Sequence, residues 1–128
     1  MYTEVTSGIK ISVRTRFEPG FSAPLKNHYH YSYTVLIENS NDYPVQLLRR
    51  HWTITDANNQ VREVEGPGVV GLQPVILPGA THTYSSACDL TTLLGKMCGT
   101  YLMKRLEDES EFRVKIPEFK LRVPYQLN

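Results

Sequence analysis

Two cysteines, Cys88 and Cys98, are all that 128 residues contain, too few for a disulfide scaffold. Nowhere does the chain reach the roughly 20 consecutive apolar residues that a membrane-crossing helix needs, so no membrane role is expected. A charge excess is missing as well: 14 Lys and Arg stand against 13 Asp and Glu. Without a broad basic field, neither nucleic acid nor an anionic lipid surface is expected as a partner. The opening residues, MYTEVTSGIKISVRTRF, lack the apolar h-region and small-residue cleavage site of a secretory leader. A cytoplasmic protein with two free thiols is the expectation. Helical periodicity is also absent, since no 3.6-residue apolar pattern runs longer than two turns.

What is present is alternation with a period of two, which points to antiparallel strands with one buried face. Ile9, Ile11, Val13, Thr15 and Phe17 fall on one face, with Lys10, Ser12, Arg14 and Arg16 opposite. Tyr29, Tyr31, Tyr33, Val35 and Ile37 share a second such face. The run Val45 to Thr55 places Leu48, Trp52 and Ile54 in one register together with Arg50, a conflict that a later strand start or a bulge would resolve. Gly95 to Leu106 puts Met97, Gly99, Tyr101 and Met103 on one side. Phe112, Val114 and Ile116 form the last clean alternation before Pro117, and Phe119, Leu121 and Val123 continue it in a C-terminal strand.

Seven to eight short antiparallel strands separated by turns describe an all-β fold, an immunoglobulin-like or fibronectin type III-like β-sandwich. The length suits one domain over residues 1–128. Trp52 fits the core tryptophan of such sandwiches, whereas Cys98 lacks a partner in the Tyr29 to Asn39 strand for the immunoglobulin bridge.

Several residue groups invite a chemical reading. Gly66-Pro67-Gly68-Val69-Val70-Gly71 spells G-x-G-x-x-G, but Pro74 and Pro78 follow where a dinucleotide-binding loop needs a helix. The Rossmann reading is rejected. An anion nest of backbone N–H groups at Gly66, Gly68, Val69, Val70 and Gly71 survives as a weaker version, beside the plainer one in which the glycines supply positive φ for a tight loop. His28 and His30 stand two apart, so a strand would aim both imidazoles to one side about 7 Å apart. They are candidate metal ligands that require a third from elsewhere in the fold. Arg49 and Arg50, with Gln73, are a candidate interaction surface; ordinary exposed charge is the bland alternative. Eight tyrosines exceed what a core needs and suggest exposed contact residues.

No nucleophile with its base is recognisable. Ser85-Ser86 lacks a G-x-S-x-G elbow, the cysteines lack a catalytic surround, and Glu107 to Glu111 reads as a solvated acidic loop. No enzyme activity and no cofactor are expected.

The run Asp42-Tyr43-Pro44-Val45-Gln46-Leu47-Leu48-Arg49-Arg50-His51-Trp52-Thr53-Ile54-Thr55-Asp56 resembles the signature of the ApaG family around its tryptophan. Val64 to Pro74, Pro78-Gly79, Tyr84-Ser85-Ser86, Gly95 to Tyr101 and Ile116-Pro117-Glu118-Phe119 are similar to that family in the same order. The resemblance implies a fibronectin-type sandwich and a stand-alone bacterial protein. Its eukaryotic relatives are attached to F-box and polymerase-interacting proteins as interaction modules. It also implies a genetic link to cobalt and magnesium tolerance and proximity to a dinucleoside-tetraphosphate hydrolase in some operons. It carries over no catalytic residue, and the glycine-rich segment is the feature of the family proposed to bind pyrophosphate. Leu93 departs from the family's proline after Thr92, a change expected to loosen the turn before the Gly95 strand.

A non-enzymatic module that binds another protein is therefore the leading expectation. A small-anion or nucleotide sensor on the glycine loop and a divalent-metal sensor are the alternatives. The edge strands of an open sandwich keep a homodimer among the outcomes.

Overall fold

Alternating burial along most strands becomes two antiparallel sheets packed face to face in the computed structural model, which describes residues 1–124. The strands are β1 (Tyr2–Thr6), β2 (Ile9–Phe17), β3 (Tyr29–Asn39), β4 (Val45–Asp56), β5 (Val61–Pro67), β6 (Val75–Ile76), β7 (Thr81–Leu90), β8 (Leu94–Arg105) and β9 (Glu111–Arg122). One sheet has the order β1-β2-β3-β7; the other has β5-β4-β8-β9, with β6 also pairing β4. Two 3₁₀ turns, Pro19–Phe21 and Pro24–Lys26, lie between β2 and β3, and no helix among the described residues is long and apolar enough to cross a membrane.

The sandwich expectation holds, with nine strands among the described residues rather than seven to eight. β1 escapes the sequence pattern because its more buried positions are Tyr2, Glu4 and Thr6 while Val5 is exposed; the apolar signal is inverted there. Pro117 does not divide the last two alternations. β9 runs through it, because the register with β8 shifts between Met97 and Gly99. A bulge of this kind absorbs a residue that cannot donate to the ladder.

The Arg50 conflict is resolved by a bulge in β4 between Leu47 and Arg49. Leu47, not Leu48, is the fully buried leucine, and Arg50 remains in register with buried Trp52 and Ile54. The bulge thus keeps an arginine on the inner side of the sheet.

Tyrosines fill the core, including those beyond the strand faces that were expected to lie exposed. Tyr29, Tyr31, Tyr33 and Tyr101 are buried, and Tyr2, Tyr43 and Tyr84 pack partly buried against them; Tyr125 lies outside the described residues. Trp52, 3% exposed, is ringed by Tyr33, Phe119 and Tyr101 at 5.5, 5.8 and 6.4 Å between centroids. A core can hold these phenols because their hydroxyls find partners: Tyr31 donates to the carbonyl of Leu93 at 3.1 Å, and the Tyr84 and Tyr101 hydroxyls bond to each other. The same Leu93 turn is tied by Thr92 Oγ1, which donates to Leu94 O at 2.7 Å.

The two seams of the sandwich differ. At one, β9 packs on β1 and β2, with Lys115 N donating to Thr6 Oγ1 at 3.2 Å. At the other, β5 and β7 are edge strands, and a cleft of about 330 Å³ opens between them, lined in part by Tyr33, Arg50, Arg62 and Cys88. Both cysteines are free thiols.

Candidate functional site

Two constellations come out of the sequence candidates. The first is the glycine-rich segment. β5 and β6 pair with the same edge of β4, at Arg49–Thr55 and Val45–Gln46, so the residues between them are an excursion from one interrupted edge strand. No helix follows the glycines, in agreement with the rejection of a dinucleotide loop.

The excursion is a miniature hairpin. Val69 N donates to Leu72 O at 2.8 Å and Leu72 N returns to Val69 O at 3.0 Å. Its two tip residues, Val70 and Gly71, have φ of 48° and 77°. Two consecutive positive φ values are the mark of a type I′ turn, whose first tip position normally belongs to Asn, Asp or Gly. A β-branched valine there is sterically strained. Val69 is buried in the core while Val70 is 62% exposed, and Leu72, Val75 and Leu77 are exposed after it.

Side chains and backbone clamp this hairpin in place. Gly68 N donates to Leu48 O at 2.8 Å and Leu47 N to Pro74 O at 3.0 Å. Gln73 Nε2 donates to Leu48 O at 2.9 Å, and Gln46 Nε2 to Gln73 O at 3.1 Å. Arg50 Nη1 donates to Pro67 O and Gly68 O. Of the proposed anion nest, the Gly68 and Val69 donors are therefore engaged by carbonyls within the fold, and Gly66 belongs to β5. Of the proposed surface, Arg49 is exposed outward, while Arg50 and Gln73 brace the hairpin from within and beside it. Adjacent residues on a strand face opposite sides, so Arg49 and Arg50 do not share a surface.

The second constellation brings the two histidines to a carboxylate. His30 and Asp89 are cross-strand partners on β3 and β7. His28 sits just before β3, where Ala23 N donates to His28 O at 2.8 Å and His28 N to Ala23 O at 3.1 Å across the Pro24–Lys26 turn. The two rings stand 6.5 Å apart, on the scale expected of i, i+2 neighbours. Asp89 Oδ1 is the shared partner, 2.9 Å from His28 Nε2 and 2.6 Å from His30 Nδ1. Partial burial of the carboxyl would raise its pKa, but the hydrogen bonds from His30 and His28 outweigh it and hold Asp89 below the usual carboxylate range.

The surroundings hold this group in position. His30 N donates to Ser22 Oγ at 2.8 Å, and Ser22 Oγ donates to Glu18 O at 2.8 Å. Phe21 lies 5.7 Å from the His30 ring. On the far side of β7, Arg62 Nη2 donates to the Asp89 carbonyl at 2.5 Å and reaches Cys88 Sγ at 3.4 Å. Burial pushes the Cys88 thiol up, against the pull of Arg62, so this cysteine is held as a thiol.

Asp89 was invisible as a partner in the sequence, since nothing local marks it. His51, read as a lone residue, pairs instead with Glu63 at 3.1 Å on the outer face of β4 and β5.

Comparison with known proteins places these features in a family. A model of the ApaG domain matches residues 19–105. Protein ApaG of Brucella suis is 49% identical over 126 residues, covering 98% of this chain and 96% of that protein. Protein ApaG of Pseudomonas aeruginosa is 48% identical over 120 residues, covering 94% of each. A crystal structure described as the ApaA protein of Bordetella pertussis superposes with a TM-score of 0.88 at 44% identity, covering 91% of this chain and 94% of that one.

Proposed function

The chain belongs to the ApaG family, and from that premise we propose that it is a non-enzymatic module that binds another protein through the Val69–Leu72 hairpin and the aliphatic residues beyond it. The observation that carries this reading is Val70. An exposed, β-branched residue at φ 48° is unfavourable twice over, in backbone strain and in apolar exposure. Surrounding hydrogen bonds from Arg50, Gln73 and the backbone over-determine the conformation, so the apolar tip is rigid before any partner arrives. Preorganised aliphatic side chains on a braced loop lower the ordering cost of association. Val61 and Val64 on neighbouring β5 are exposed too, and extend the apolar character along the same edge. Hydrogen bonds already made by Gly68 and Val69 lend less support to an anion site on this loop.

The test is site-specific photo-crosslinking in cells, with the reactive residue at position 72 and, as a control, at position 83 on the outer face of β7. Binding through the hairpin produces an adduct of defined mass at position 72 alone. Excess wild-type protein competes it away, whereas Val70→Asp protein does not. No adduct at position 72, or equal competition by the variant, counts against the reading.

A further inference from the structure

We propose that His28, His30 and Asp89 form a binding site for one divalent cation of borderline softness, of the zinc or nickel type, on the outer face of the sheet that does not carry the hairpin. The fold supplies the third ligand that two histidines alone lack. Their three ligand atoms already lie within 4.8 Å of one another. In a tetrahedral site with bonds of about 2.0–2.1 Å, ligand atoms stand about 3.3 Å apart, so closing around an ion needs only small side-chain rotations.

The donor set selects the ion. Two imidazole nitrogens and one carboxylate oxygen suit zinc, nickel or copper, whereas magnesium takes oxygen and water. Three protein ligands with partly exposed side chains leave a coordination position to water, the arrangement of an open site rather than a closed structural one. The scaffold is preorganised on three counts: the β3–β7 register places His30 against Asp89, the Ala23–His28 hydrogen bonds fix the second histidine, and Ser22 anchors the backbone of His30.

Both rings now direct N–H groups at the one oxygen Oδ1. Metal binding replaces these two hydrogen bonds with coordination. The ion takes the lone pairs of His28 Nε2 and His30 Nδ1, so each neutral ring carries its proton on the other nitrogen, His28 Nδ1 and His30 Nε2. The carboxylate is already ionised and offers its charge to the ion.

Calorimetric titration of the whole chain with zinc, nickel and magnesium chlorides tests the site, alongside histidine ring ¹⁵N spectra. Zinc and nickel bind saturably at one ion per chain and shift the His28 and His30 ring signals, and magnesium at the same concentration does neither. His28→Ala and Asp89→Asn each weaken zinc binding at least about tenfold, the scale on which metal sites respond to loss of an oriented group. His51→Ala, outside the cluster, leaves it unchanged. Asp89→Asn preserves shape and can still accept hydrogen bonds, so it reports on the site should His28→Ala fail to fold. The proposal is overturned if wild-type protein takes up neither ion saturably, or if Asp89→Asn binds zinc as wild type does; His28, His30 and Asp89 would then only pin the Glu18–His28 loop to β7.

Discussion

Gly66 leaves the space that Arg50 occupies: a Cβ built on Gly66 would stand 3.0 Å from Nη1 of Arg50. From that position Nη1 donates to Pro67 O at 3.0 Å and to Gly68 O at 3.2 Å. One guanidinium on the inner register of β4 thus governs where the hairpin leaves the sheet.

Arg50→Met keeps the aliphatic stem and removes these donors. It is expected to cost about 2 kcal/mol, as for hydrogen bonds from a charged group, and to speed amide exchange at Gly68 and Val69 more than in β2 or β3. Exchange by NMR checks it; uniform acceleration across the sheets would mean that Arg50 supports global stability and not the hairpin in particular.

Val70→Asn places at the turn the residue that tolerates positive φ. Stability rises by about 1 kcal/mol, the left-handed penalty relieved, and the urea midpoint moves up without a change in slope. The same variant loses competition in the crosslinking assay. A stabler protein that still competes fully would separate the strain of Val70 from partner binding.

Alkali reads the buried phenols. Desolvation raises the pKa of Tyr84 and Tyr101 above the ordinary value, so the folded state holds these protons more tightly than the unfolded chain does. Their contribution is complete below about pH 10 and falls as pH rises beyond it, by up to about 1.4 kcal/mol per pH unit for each tyrosine. Urea unfolding between pH 8 and 11 measures the slope, which Tyr84→Phe reduces. An unchanged slope in that variant would assign the alkaline limb to other groups.

Gly99→Ala is expected to be the most damaging small substitution in β8. An added Cβ would stand 2.1 Å from His51 O and 3.2 Å from Trp52 Cα, both backbone atoms that cannot rotate away. A loss of about 3 kcal/mol, the scale of severe overpacking, is measurable by urea denaturation. A loss under about 0.5 kcal/mol, typical of an innocuous surface change, would show that β4 and β8 separate easily where Trp52 pairs with Gly99.

The inward faces of β2, β3 and β8 were legible in the sequence, because strand alternation is a local signal and Ile9, Tyr31 and Met103 report burial by their own spacing. The loop character of Gly68 to Pro74 was legible for the same reason, because glycine and proline act on their own backbone, although Gly66 and Pro67 proved to end β5. β1 was hidden because its inward residues include Glu4 and Thr6, and the β4 bulge because Leu47 and Leu48 are chemically equal candidates for the core. The number of tyrosines was plain, but not that Tyr2, Tyr43 and Tyr84 would also pack against the core, since that depends on partners supplied by other strands.

The sequence alone therefore determined an all-β sandwich, its loops, its family signature and two histidines on one side of a strand end. Tertiary structure decided the rest. Asp89 meets His30 from 59 positions further along the chain, and Arg50 faces the glycine hairpin because of a bulge two residues before it. Periodicity says which way a side chain points relative to its own strand. Which strand lies beside it, and in what register, is set only when whole sheets bury their apolar faces together.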